Sequence, residues 1–222
     1  MIKAQPKPFA EVKAMIAPYR RILVLGCGTC VTISFAGGEK EVGLLASALR
    51  MASSMEGVQR TIAEATIQRQ CEWEFVDSVS DAVRRADAVV SLACGIGVQA
   101  LAERYPDKVI LPGVNTDFLG LAVEHGVLVE RCGACGDCIL DETGGVCPVV
   151  RCAKSLLNGP CGGSQNGKCE VNKETDCAWQ LIYDRLARLG QLDRLNLVMA
   201  PKDWSKDRYG GPRRIVREDL KL

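Results

Sequence analysis

Histidine is almost missing from this chain: His125 is the single one among 222 residues. Catalytic zinc sites usually draw on two or three histidines, so that chemistry is excluded in its common form. Charge of one sign is also missing, since 28 Lys and Arg face 27 Asp and Glu for a net +1. A nucleic-acid binder carries a marked basic excess, so neither DNA nor RNA is an expected partner. No apolar run approaches the ~18 residues of a membrane span. Met1 to Arg20 interleaves Lys3, Lys7, Glu11 and Lys13 with Pro6 and Pro8 where an export signal would need an apolar stretch. The expected location is therefore the cytoplasm, without a membrane span.

What the chain has is cysteine, 12 in all, beside 47% hydrophobic residues. Secreted disulfide scaffolds are usually short chains that need staples, whereas this one can bury a core and shows no export signal. Its cysteines are read as reduced thiolates that hold metal. Four thiolates suit either an iron–sulfur cluster or a structural zinc, and twelve divide into three such sets.

The first 125 or so residues alternate helix and strand patterns. Phe9, Val12 and Ile16 have helical spacing, and Ile22 to Gly26 is a continuous apolar run, as in a strand buried on both faces. A helix is expected from Glu39 to Met51, a strand within 59–69, a helix from Glu72 to Arg85 and a strand from Ala88 to Leu92. A short helix from Gln99 to Tyr105 and a strand from Val109 to Leu111 complete the series. This alternation predicts an α/β fold with a small Rossmann-like parallel sheet over residues 1–129. Composition then shifts: residues 132 to 177 hold eight cysteines and eight glycines with little periodicity. A loop-rich cysteine module held by metal clusters is expected over 130–195. Trp179, Ile182, Leu186 and Leu189 form its closing helix, with Gly190 as the stop, and residues 196–222 follow as an extended tail.

Two constellations carry the chemistry. Gly26-Cys27-Gly28-Thr29-Cys30 follows the first buried strand, but Val31 occupies the third glycine position of a dinucleotide fingerprint. The carboxyl ends of parallel strands share one edge, so Cys27, Cys30, Cys71 and Cys94 are expected on one rim as a cluster site. Gly26, Gly28, Gly95 and Gly97 would let amides approach the sulfurs. Buried packing cysteines and a free Cys27–Cys30 dithiol are the alternatives. The second constellation is Cys132-x2-Cys135-x2-Cys138 followed by Cys147-Pro148, Cys152, Cys161, Cys169 and Cys177. Its opening follows the grammar of bacterial ferredoxins, with a longer gap before the Cys-Pro. The simplest partition places Cys132, Cys135, Cys138 and Cys147 in one set and Cys152, Cys161, Cys169 and Cys177 in the other. A disulfide knot, or one cluster plus one zinc, remains open. His125 is a further conceivable ligand.

Gly26-Cys27-Gly28-Thr29-Cys30, Arg69-Gln70-Cys71-Glu72, Leu92-Ala93-Cys94-Gly95 and the run from Cys147-Pro148 through Asn158-Gly159-Pro160-Cys161-Gly162-Gly163 and Cys169-Glu170-Val171 to Cys177-Ala178-Trp179 resemble the small-subunit (MetV) family. This family belongs to the two-subunit methylenetetrahydrofolate reductases of acetogenic and related anaerobic bacteria, and the likeness spans roughly residues 1 to 195. The cysteine-rich part is similar to the C-terminal module fused to the barrel of some such reductases. The resemblance implies two or three 4Fe-4S clusters held by these cysteines, with zinc conceivable at one site. It also implies a flavin-containing, MetF-like barrel subunit as partner and a low-potential donor complex upstream. The chain would pass electrons to the partner's flavin. The alternative from another class is a zinc-stabilised adaptor. Trp179, Trp204 and Tyr209 are the expected docking aromatics.

Overall fold

The computed structural model describes residues 1–124, 127–207, 211, 212, 214 and 219. His125 and Tyr209, considered above as a ligand and a docking residue, lie outside the described residues. The chain divides into two compact units, Met1–Val129 and Glu130–Leu222.

In the first unit the elements run β1 (Ile2–Pro6), α1 (Phe9–Met15), β2 (Arg21–Cys27), α2 (Cys30–Ile33), α3 (Glu39–Met55) and β3 (Thr61–Ile67). They continue with α4 (Trp73–Asp77), α5 (Ser80–Arg85), β4 (Ala88–Ser91), α6 (Gly95–Arg104), β5 (Val109–Pro112) and β6 (Val114–Glu124), and β7 (Val127–Cys132) runs through the boundary of the two units. The strand order β3-β2-β4-β5 makes a four-stranded sheet whose pairings are all parallel. Strand β2 is buried from Ile22 to Cys27 because both of its faces are covered. Ile22 and Val24 pack in one core cluster with Val42, Ala46 and Leu49 of α3, and Leu23 and Leu25 pack in the other with Val76, Val83 and Leu101. Both apolar layers therefore meet on a single seven-residue strand.

Three expectations need correction. The helix expected over Glu72–Arg85 is broken into α4 and α5: at Ser78 the side chain donates to the Phe75 carbonyl, and the second helix starts only at Ser80. Phe9 was placed on the buried face of the entry helix but is 40% exposed, and Val12 and Ile16 alone carry that face. A second sheet, in the order β1-β6-β7 with β1 and β6 antiparallel, was not anticipated. Most of β6 is exposed or half-exposed, so its sequence lacks the clean alternation that marks a half-buried strand.

The second unit has little regular structure: α7 (Pro148–Arg151), α8 (Ala178–Leu189) and two 3-10 turns at Leu192–Asn196 and Trp204–Lys206. Its apolar cluster is small, made of Cys177, Trp179, Ile182 and Leu186 with Val146, Cys152, Leu156 and Met199 against it. Helix α8 ends where Gly190 turns to φ +66°, a left-handed conformation that suits glycine.

Candidate functional site

The parallel sheet sets out the first group of thiols. Cys27 is the last residue of β2, Cys30 the first of α2, Cys71 lies four residues beyond β3, and Cys94 stands three residues beyond β4 as the N-cap of α6. Cys27 and Cys94 are buried, Cys30 is half-buried and Cys71 is exposed. The Cys27 amide donates to the Gly37 carbonyl at 2.8 Å, and the Gly28 amide donates to the Ile67 carbonyl at 2.9 Å. The Gly95 amide donates to Thr116 Oγ1 at 2.8 Å, which secures the start of α6 to β6 of the second sheet.

Beneath these thiols lies a buried polar network that the sequence reading missed. Gln70, fully buried, donates from Nε2 to the carbonyls of Leu25 at 2.9 Å and Gly26 at 3.0 Å. It accepts at Oε1 from Ser91 Oγ at 2.6 Å, and Ser91 Oγ itself accepts from the Ala93 amide at 3.2 Å. One glutamine thus ties the loop before Cys71 to the end of β2, and through Ser91 to the loop before Cys94. Gly97 belongs to the same fit, since a Cβ there would stand 2.6 Å from the Cβ of Ala93 and 2.8 Å from that of Gln70. Burial pushes the Cys71 thiol up from its ordinary value, and the charges of Cys27, and less strongly of Cys94 and Glu72, push it in the same direction. Thiols that oppose one another's ionisation in this way suit a cationic guest.

In the second unit the Cys132–Cys138 loop turns through positive φ at Ala134 (54°) and Gly136 (80°), and the Ala134 amide donates to Cys132 Sγ at 3.3 Å. Cys147 caps α7 and Cys177 caps α8. Cys152, Cys161, Cys169 and Cys177 line one small cavity of about 20 Å³, together with Arg151, Lys154 and Trp179. Backbone amides of Asn172 and Val171, then the Ala153 amide and Lys154, hold the Cys169 thiol below its ordinary value. Cys177 is the N-cap residue of the twelve-residue helix α8. All twelve cysteines are free thiols. Among the described residues, no group of three or more His, Cys, Asp or Glu side chains comes together closely enough to hold a metal ion.

The donor set fits soft metals. It is reduced, sulfur-rich, supplied with amide donors and, at the cavity, bordered by Arg151 and Lys154. Such a set could hold iron of a cluster, or zinc where four thiolates close around a small space. Trp179, expected on a docking face, is instead 6% exposed with its indole N–H donating to the Leu156 carbonyl at 3.0 Å, because the closing helix buries its aromatic in the unit's own core. Trp204 is 45% exposed.

Fold and thiols together give an α/β unit and a loop-rich, cysteine-dense unit. Residues 111–205 match the family described as methylene-tetrahydrofolate reductase C terminal. No curated protein and no solved structure matches the chain. Among the described residues, no helix is long and apolar enough to cross a membrane.

Proposed function

We propose that the chain is the iron–sulfur electron-transfer subunit of a methylenetetrahydrofolate reductase complex, delivering electrons to the flavin of a barrel-type catalytic subunit. The observation that carries this reading is the cavity lined by Cys152, Cys161, Cys169 and Cys177, which lies within the segment that matches the reductase family. Iron–sulfur groups supply one-electron chemistry, and the chain's own residues hold and tune them. Cys27, Cys30, Cys71 and Cys94 would hold one cluster. Cys132, Cys135, Cys138 and Cys147 would hold a second, and the cavity set a third group. Gln70 and Ser91 position the first set, and the amides around Cys169 stabilise thiolate in the last.

One observation favours zinc for the cavity set: the space is small and Cys177 is buried, as in closed structural sites of four thiolates. Protein purified without oxygen should be brown, contain iron and acid-labile sulfide, and transfer electrons from a low-potential donor to the barrel subunit. Colourless protein with zinc alone would select the adaptor reading. Full donor-dependent activity of the barrel subunit by itself would end the relay role.

A further inference from the structure

Lys202 is buried without a purpose in the scheme above. Its side chain is 1% exposed, and its ammonium donates no hydrogen bond to any described residue. The nearest carboxylate oxygen, Asp137 Oδ2, stands at 3.7 Å, beyond hydrogen-bond length, and the ring centroid of Trp204 is 5.8 Å away. Asp137 is held instead by Lys206 Nζ at 3.3 Å, and Asp203 by the backbone and hydroxyl of Ser205 at 3.0 and 2.5 Å. Lys206 also reaches Asp203 at 3.8 Å. A sealed ammonium with unused donors is costly, and such groups in folded proteins call for a partner.

The position suggests which partner. Asp137 lies between Cys135 and Cys138, so covalent reach places the ammonium within about 11 Å of the Cys138 α-carbon. Thiolates and inorganic sulfides are anionic acceptors for an ammonium that pairs with Asp137 at 3.7 Å but donates no hydrogen bond to a described residue. We propose that Lys202 is the buried counter-cation of the metal group held by the Cys132–Cys138 loop and raises its electron affinity. This rests on the iron–sulfur reading above. A fixed positive charge favours the reduced, more negative form. Taking that reach of about 11 Å as the separation, at an effective dielectric of about 20, a unit charge changes the reduction equilibrium about tenfold, or about 59 mV for a one-electron couple. Lys202 is thus a positioning and tuning residue.

The test compares full-length wild type, Lys202→Met and Lys202→Arg, purified without oxygen, by iron and sulfide content and by an EPR-monitored redox titration. Lys202→Met should keep its iron and have one couple shifted to lower potential by about that tenfold factor, and Lys202→Arg should titrate close to wild type. An unchanged titration in an iron-replete Lys202→Met protein overturns the role of Lys202 while leaving the cluster reading intact. Wild type without iron and sulfide overturns that reading and this inference with it. Should Lys202→Met lose its iron, retention in Lys202→Arg supports the need for the charge, and loss from both assigns Lys202 to packing and overturns the proposal.

Discussion

Ser91 Oγ donates to Gln70 Oε1 at 2.6 Å inside the first unit, and this single bond links the loop that carries Cys71 to the strand that leads to Cys94. Gln70, the acceptor in that bond, donates from Nε2 to two β2 carbonyls. Replacing Gln70 with Leu takes the side-chain donor from the Gly26 carbonyl and the acceptor from the Ser91 hydroxyl, while the Leu25 carbonyl keeps the Leu92 amide at 2.9 Å, so unfolding by urea should cost about 1–3 kcal/mol less than in wild type. Iron per chain should fall with it. Stability within about 0.5 kcal/mol of wild type would show that the network is dispensable.

The thiols at the carboxyl ends of the strands predict a second outcome. The double variant Cys27→Ser, Cys94→Ser should contain about four fewer irons per chain if all four rim cysteines serve one 4Fe-4S cluster. Iron analysis of protein prepared without oxygen decides this, and an unchanged content would make Cys27 and Cys94 packing residues or a free dithiol.

Stripping metal should have its effect in the second unit. Its apolar cluster is small, so on the proposed metal-held reading ligation would supply much of its folding energy. After iron and zinc are chelated, limited proteolysis of the full chain should cut first within residues 130–177. Continued resistance there would mean that side-chain packing suffices.

A fourth outcome concerns acid. Hydrogen bonds from the Arg21 side chain, then from the Arg21 amide, hold the Asp87 carboxyl down at about 2, below its ordinary value of about 4. A lowered folded-state value contributes stability above the unfolded value and loses it as pH falls through the folded one. Melting temperatures of wild type and Asp87→Asn should therefore differ at pH 7 and draw together between about pH 4 and pH 2. A gap that stays constant across this range would assign the effect to shape.

Much of the first unit was legible because β2 and β4 are continuous apolar runs and α3 is a long helix bounded by Gly37-Gly38. Strand β6 was not legible, since its exposed faces tolerate polar and apolar residues alike. Of the site, the cysteines announce themselves by spacing, and the linear order groups the same four that line the cavity. Gln70, Ser91 and Lys202 carry no such signal. A glutamine or lysine is read as surface until a fold encloses it, and the Gln70 partners and Asp137 come from far away in sequence, whereas Ala93 beside Ser91 and Trp204 beside Lys202 are near.

Cys177 both lines the thiol cavity and is the N-cap of α8, the helix that supplies Trp179, Ile182 and Leu186 to the second unit's core. Starting a helix is its costly step, and anchoring the N-cap residue lowers that cost. If the cavity thiols hold metal as proposed, its delivery would act as a maturation checkpoint. A newly made chain that has not received its metal would leave that apolar helix face uncovered, an aggregation hazard that ends when the last thiol of the series is secured.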